Sequence, residues 1–249
     1  AQVTRLVDVS HIGPMKRVAR EREALLVGGA VTFSRLFCDR DVRAGAPLLC
    51  QAASALGTPG VRRLATLAGN VVTAVGNSDG AVALVALNAE AEITNLTGSQ
   101  WLPVNSLFVR HGVSRINGTS EIVTAFRVPF LRAGQGCALV RARPVQPWER
   151  APIVLALVLG NEERTLDWAA VAVGWMGGVP RHLAGVEKGL LGLSLVDDNS
   201  PGIFAAMLRE ALLGEDIEIS PTLEMEIARL APRAFVRAAA QALAAGQPQ

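Results

Sequence analysis

Residues 59–79 gather hydroxyl, amide and carboxylate side chains among glycines and alanines. Thr66, Asn70, Thr73, Ser78 and Asp79 supply the hydrogen-bonding groups. Gly69 and Gly76 lack a Cβ, so a ligand can come close to the main chain there. Amide N–H groups at a turn or helix start attract phosphate or pyrophosphate. Asp79, near the start of the next helix, suits either a helix cap or a partner for ribityl or ribose hydroxyls. This is the chemistry of holding a ligand that carries phosphate and hydroxyl groups. The same residues, taken alone, also make a turn followed by a cap.

The elements around this stretch have to present it. Its own order reads as a strand-like entry, a Gly/Asn turn, the polar cluster, and then a buried helix over residues 81–89. Upstream, residues 4–9 alternate like a short strand. Residues 18–20 and 24–29 form a hairpin around the charged turn Arg20-Glu21-Arg22-Glu23. Gly28-Gly29 ends the second strand in a turn, and Thr32 opens a helix through Phe37. Residues 47–56 have helical spacing. Downstream, residues 91–94 and 100–104 read as strands, as does the alternating segment 121–129.

Several chemistries are excluded. No H-E-x-x-H, G-x-S-x-G, P-loop or G-x-G-x-x-G is present. His11, His111 and His182 are isolated in sequence and read as surface or turn residues. Asp197-Asp198 and Glu215-Asp216 read as solvated turns and helix-start charges. Cys38, Cys50 and Cys137 are far apart and odd in number, which argues against a disulfide framework or a metal or iron–sulfur site built from this chain alone. A reducing cytoplasm is the compartment this implies. The net charge of +2, without a basic block, gives no reason to expect nucleic acid. No apolar run approaches membrane-spanning length, and the start lacks a signal-peptide layout.

The stretch Arg62-Arg63-Leu64-Ala65-Thr66-Leu67-Ala68-Gly69-Asn70, followed by a small-residue run to Ser78-Asp79, resembles the second flavin-binding segment of the FAD subunit of molybdenum hydroxylases, the xanthine dehydrogenase and CO dehydrogenase group. That family reads roughly Arg-Asn-x-Ala-Thr-x-Gly-Gly-Asn. Arg62, Ala65, Thr66, Gly69, Asn70 and Asp79 match, whereas Arg63 replaces the usual Asn and Ala68 the first Gly of the pair. Val27, Gly28 and Thr32 fit the family's turn after the hairpin, and residues 121–129 its Glu-Ile-rich strand. The resemblance implies FAD contacts from Arg62, Thr66, Gly69, Asn70, Thr73, Ser78 and Asp79, and a ring contact from Val123 or its neighbour Ile122. It also implies that molybdopterin and [2Fe-2S] clusters lie on partner subunits, a large and a small chain, in a hetero-oligomer. Electrons would then pass from those clusters through FAD to an external acceptor.

In that family a further stretch, with an Ala-Gly-Gly-Thr-like first flavin loop, precedes the equivalent of Leu6-Val7-Asp8. The expectation is therefore an α+β chain in two parts. Residues 1–132 form an FAD-binding domain truncated at its N-terminus, and residues 136–249 a smaller C-terminal domain of the CO dehydrogenase flavoprotein type. In the second part, residues 137–141, 153–159 and 168–178 read as strands, and 186–192, 204–213 and 223–244 as helices. Arg141 is the candidate for the family's basic residue near the flavin. Arg143 and then a proline-rich insertion with Trp148 and Glu149 follow it. Ala68 in place of Gly would cost flavin binding if its φ were positive. A flavin-free scaffold subunit of the same kind of complex is the alternative reading.

Overall fold

The computed structural model describes residues 6–142, 151–214 and 221–246. Arg143, Trp148, Glu149, Glu215 and Asp216 lie outside them, as do the first residues of the expected strand at 4–9.

The hairpin forms as its sequence predicts. β1 (Val18–Arg20) pairs antiparallel with β2 (Ala24–Gly28). The chain then runs through α1 (Phe33–Cys38), α2 (Arg40–Gly45), α3 (Pro47–Ala55), α4 (Pro59–Leu64), α5 (Leu67–Val72) and α6 (Asp79–Ala86). Short helices need caps, and the sequence provides them. Thr32 accepts from Arg35 N, Asp39 from Asp41 N and Val42 N, Thr58 from Val61 N, and Thr66 from Gly69 N. Pro59 and Pro47 stand in first helical turns, where no intrahelical N–H is required.

Next come β3 (Glu90–Asn95), β4 (Gly98–Pro103), β5 (Phe108–Arg110), β6 (Val113–Ser114) and β7 (Ile122–Pro129). β7 inserts between β2 and β3, giving a five-stranded antiparallel sheet in the order β1-β2-β7-β3-β4. One register shift interrupts it. Glu92 faces Ala125 and Ile93 faces Val123, so Thr124 has no opposite residue on β3.

The second sheet is built from β8 (Gln135–Arg141), β9 (Ile153–Glu162), β10 (Thr165–Trp175) and β11 (Arg181–His182), in the order β11-β10-β9-β8. Residues 153–160 of β9 are all buried because both faces of this sheet are covered. Val154, Ala156 and Val158 join the core shared with α3 and α6. Ile153, Leu155, Leu157 and Leu159 join the core under α8 (Ser200–Leu213) and α9 (Pro221–Ala245). Phe204 and Phe235 tie these two helices together, with ring centroids 5.8 Å apart, a contact worth roughly 0.5–1.5 kcal/mol beyond burial. The remaining helix, α7 (Ala184–Leu190), packs against β10, where Glu187 accepts from Val171 N.

Two sequence expectations fail. Residues 6–9 form no strand, and Leu6 and Val7 are exposed. They pair with none of the described strands. The entry to the polar stretch is helical rather than strand-like: α4 and α5 occupy it. Thr58 with Pro59, and then Thr66, cap two helices of six residues each. Ala68 lies inside α5 and is not among the positive-φ residues, so the expected backbone penalty of Ala over Gly does not arise.

Candidate functional site

Three segments meet around a cavity of about 600 Å3. The turn after β2 brings Gly29, Ala30 and Thr32. α4 and α5 bring Arg63, Leu64, Thr66, Ala68 and Gly69. The start of β7 brings Ile122 and Val123. Residues 7–11 and the 3-10 turn Pro14–Lys16 form a further wall. The backbone ties these walls together. Ala30 N donates to Met15 O, Ala68 N to Gly29 O, and Gly29 N to Thr124 O. The last of these bonds uses the carbonyl of the residue left without an opposite partner on β3.

The sequence-derived candidates divide into two groups. Thr66, Gly69, Val123 and Ile122 line the cavity. Arg62, Asn70, Thr73, Ser78 and Asp79 are not among its lining residues. Arg62 turns back to α3 and donates to the carbonyls of Leu56 and Gly57 at 2.9 and 2.8 Å. Asn70 Oδ1 accepts from Ala81 N at 3.0 Å and so caps α6 from outside that helix. Thr73 Oγ1 donates to Asn70 O. Ser78 precedes α6 without making a side-chain cap bond, and its buried Oγ has no hydrogen-bond partner among the described residues. Asp79 is buried and forms an ion pair with Arg141, Oδ1 to Nε 3.1 Å. Arg141 Nη1 also donates to Ala55 O, so this arginine fastens β8 to α3 and α6.

In two runs the main-chain amides are not open to a phosphate. Around the two glycine-bearing turns the amides are already committed. Gly28 N donates to Arg17 O, Gly29 N to Thr124 O, Ala30 N to Met15 O and Val31 N to Gly28 O. Leu67 N donates to Val31 O, Ala68 N to Gly29 O, Gly69 N to Thr66 Oγ1 and Asn70 N to Thr66 O. These bonds close the fold and leave no spare N–H in either run.

Sequence reasoning missed the charged lining. Lys16, Arg63, His11, Asp8 and Glu121 all face this cavity. Its bond to Ser10 holds the Asp8 carboxyl below the usual carboxylate range, with smaller help from His11 and Lys16. Glu121 accepts from Asn117 N at 2.8 Å. The departure of Arg63 from the family's Asn was the one signal in the sequence that pointed to this wall. Among the described residues no cluster of histidine, cysteine and carboxylate groups suits a metal. His182 is bonded to Glu187 at 2.6 Å, away from this cavity.

Residues 1–131 match the family described as the FAD binding domain in molybdopterin dehydrogenase. The chain belongs to that family. Among its relatives are the nicotinate dehydrogenase FAD-subunit of Eubacterium barkeri, 23% identical over 198 residues, and the xanthine dehydrogenase FAD-binding subunit of Escherichia coli O157:H7, 29% identical over 125 residues. The first alignment covers 76% of this chain and 65% of the relative; the second covers 50% and 42%. The chain thus spans between about two fifths and two thirds of these curated relatives' length. A crystal structure of the Cu,Mo-CO dehydrogenase contains a chain with the same fold, with a TM-score of 0.83 at 20% identity, over 94% of this chain and 82% of that one. The α+β architecture expected from the sequence is therefore that of this family. No helix among the described residues is long and apolar enough to cross a membrane.

The cavity's residues fit a flavin nucleotide. Its inner wall holds Val123 and Ile122, apolar side chains suited to a ring. At Gly69 an added Cβ would meet nothing nearer than Thr66 Oγ1 at 3.0 Å, so the main chain there is open to a ligand.

Proposed function

We propose that this chain is the FAD-binding electron-transfer subunit of a molybdenum hydroxylase. A partner small chain would hold [2Fe-2S] clusters, a large chain the molybdopterin, and an external acceptor would take the electrons from the flavin. The observation that carries this reading is the cavity itself. It forms where three segments matching the family pattern converge: the Gly29 turn, the Thr66–Gly69 pair and the Ile122–Val123 strand start. A bound flavin supplies the redox chemistry. The work left to this chain is binding, orientation and water exclusion. Val123 and Ile122 would support the ring, and Thr66 and Gly69 the chain that extends from it.

The remaining family positions take part indirectly. Asn70 and Asp79 would keep α6 and β8 in place behind the cavity, through Ala81 N and Arg141. Arg62, Thr73 and Ser78 would belong to the same supporting layer. We further propose that residues 1–132 and 136–249 act as two domains and that the assembly works in the cytoplasm.

One observation favours the alternative, a flavin-free scaffold subunit: the committed amides around both glycine turns. The test is the absorbance spectrum of the chain purified with co-expressed partners, followed by acid release and identification of any flavin. Stoichiometric FAD is expected. An assembled complex without flavin would overturn the electron-transfer reading and leave the scaffold.

A further inference from the structure

We propose that Lys16 and Arg63 hold the diphosphate of the flavin nucleotide, a role that side chains take here because the main-chain N–H groups of the runs 28–31 and 67–70 are already engaged. This rests on the flavin reading above. A diphosphate bridge carries two negative charges and needs donors. The runs 28–31 and 67–70 would ordinarily supply them through the backbone. Here each of those eight amides already donates to an acceptor within the chain. Side chains on the cavity wall can supply the donors that these two runs do not.

Lys16 and Arg63 stand on different walls, one on the 3-10 turn before β1 and the other at the end of α4. Both are exposed, and neither has an ion-pair partner among the described residues. Of the two carboxylates that share the cavity, Asp8 feels the charge of Lys16 only as a minor influence, and neither is within ion-pair distance of Lys16 or Arg63. Asp8 accepts from Ser10 N, and Glu121 accepts from Asn117 N. Lys16 is one of only two lysines in the chain, the other being Lys188. The turn that carries it is fixed by Met15, whose buried side chain and bond to Ala30 N anchor it beside the cavity. Arg63 follows Arg62, whose guanidinium is bound to the end of α3, so the pair divides between a structural contact and the cavity.

The test compares FAD, FMN and riboflavin binding to the full chain by flavin fluorescence, at low and high salt, in wild type, Lys16→Gln and Arg63→Asn. Riboflavin keeps the ring and ribityl chain but has no phosphate. If the two cations hold the diphosphate, each variant loses about tenfold or more in FAD affinity and keeps its riboflavin affinity. The salt dependence of FAD binding also falls in each variant, because one screened charge contact is gone. FAD should protect Lys16 from acetylation and leave Lys188 unprotected, as read by mass spectrometry. Equal losses for FAD and riboflavin, or no loss at all, would overturn the assignment and leave the flavin reading intact. A wild-type chain that binds none of the three would overturn both.

Discussion

The Asp79 carboxylate, only 5% exposed, is bound to the Arg141 guanidinium, 30% exposed, with Nε 3.1 Å from Oδ1. The pair joins the first turn of α6 to the last residue of β8, and so links the helix behind the cavity to the second sheet. Removing one member strands the other in a largely buried setting. Asp79→Ala should lower unfolding free energy by roughly 3–5 kcal/mol, less where Arg141 can reach solvent. The double variant with Arg141→Ala should cost less than the sum of the two single changes. Urea unfolding of all three checks this, and strictly additive losses would show that the pair is not coupled.

Asn70 offers a cleaner separation of stability from binding. Its Oδ1 accepts from Ala81 N inside the first turns of α6. Asn70→Ala should destabilise by roughly 1–2 kcal/mol, whereas Asn70→Asp, which keeps the acceptor, should lose much less. Thermal unfolding of the two variants distinguishes them. If both fall equally, the amide N–H2 group rather than Oδ1 is what matters.

The loop before α6 lies flat on β10. A Cβ placed on Gly174 would collide with the carbonyl oxygen of Gly76, and one placed on Gly76 would collide with the carbonyls of Trp175 and Gly178. Neither glycine has a positive φ, so the requirement is for space rather than for an unusual backbone. Gly174→Ala should cost about 3 kcal/mol through the forced separation of the two layers. A melting temperature equal to that of wild type would show that the contact relaxes freely.

Cys137 makes stability depend on pH at the alkaline end. Burial pushes its thiol up to about 12 from an ordinary value of 9.0, against smaller opposing effects of Arg237 and the Gln51 hydrogen bond. The fold therefore favours the neutral thiol. The stabilisation is complete below the unfolded value near 9.0 and is lost as pH rises toward about 12. Across the whole window the effect amounts to about 4 kcal/mol. Guanidinium unfolding between pH 8 and 11 should show a steeper fall for wild type than for Cys137→Ala, and equal slopes would contradict this origin. The chain contains no tyrosine, so that residue cannot blur the comparison.

Much of the fold was legible because local signals and tertiary contacts agree. Thr32 begins a helix, the charged run at residues 20–23 turns a hairpin, and the alternation of residues 121–129 makes a strand. Residues 59–70 misled because Gly60, Gly69 and Asn70 weaken helix propensity, while the compensating bonds to Gly29, Val31 and Phe33 come from distant sequence. Residues 6–9 misled in the opposite sense. Alternation makes a strand only where the segment pairs with an edge, and residues 6–9 pair with none. In the site, Thr66, Gly69, Ile122 and Val123 were reached through the family pattern. Lys16 was not, because nothing local says that its turn will sit beside Ala30.

The unopposed Thr124 limits how this strand can be changed. Side chains along a strand follow an even–odd code, and one extra residue inverts that code for everything before it. Ile122 and Val123 meet the cavity in their present order because Thr124 is counted, whatever its side chain contributes to Glu92 and Thr94. The count of residues therefore matters more than their identity at this point. Many residues could stand at 124, but a deletion there would exchange the faces of its predecessors and withdraw the carbonyl that fastens Gly29.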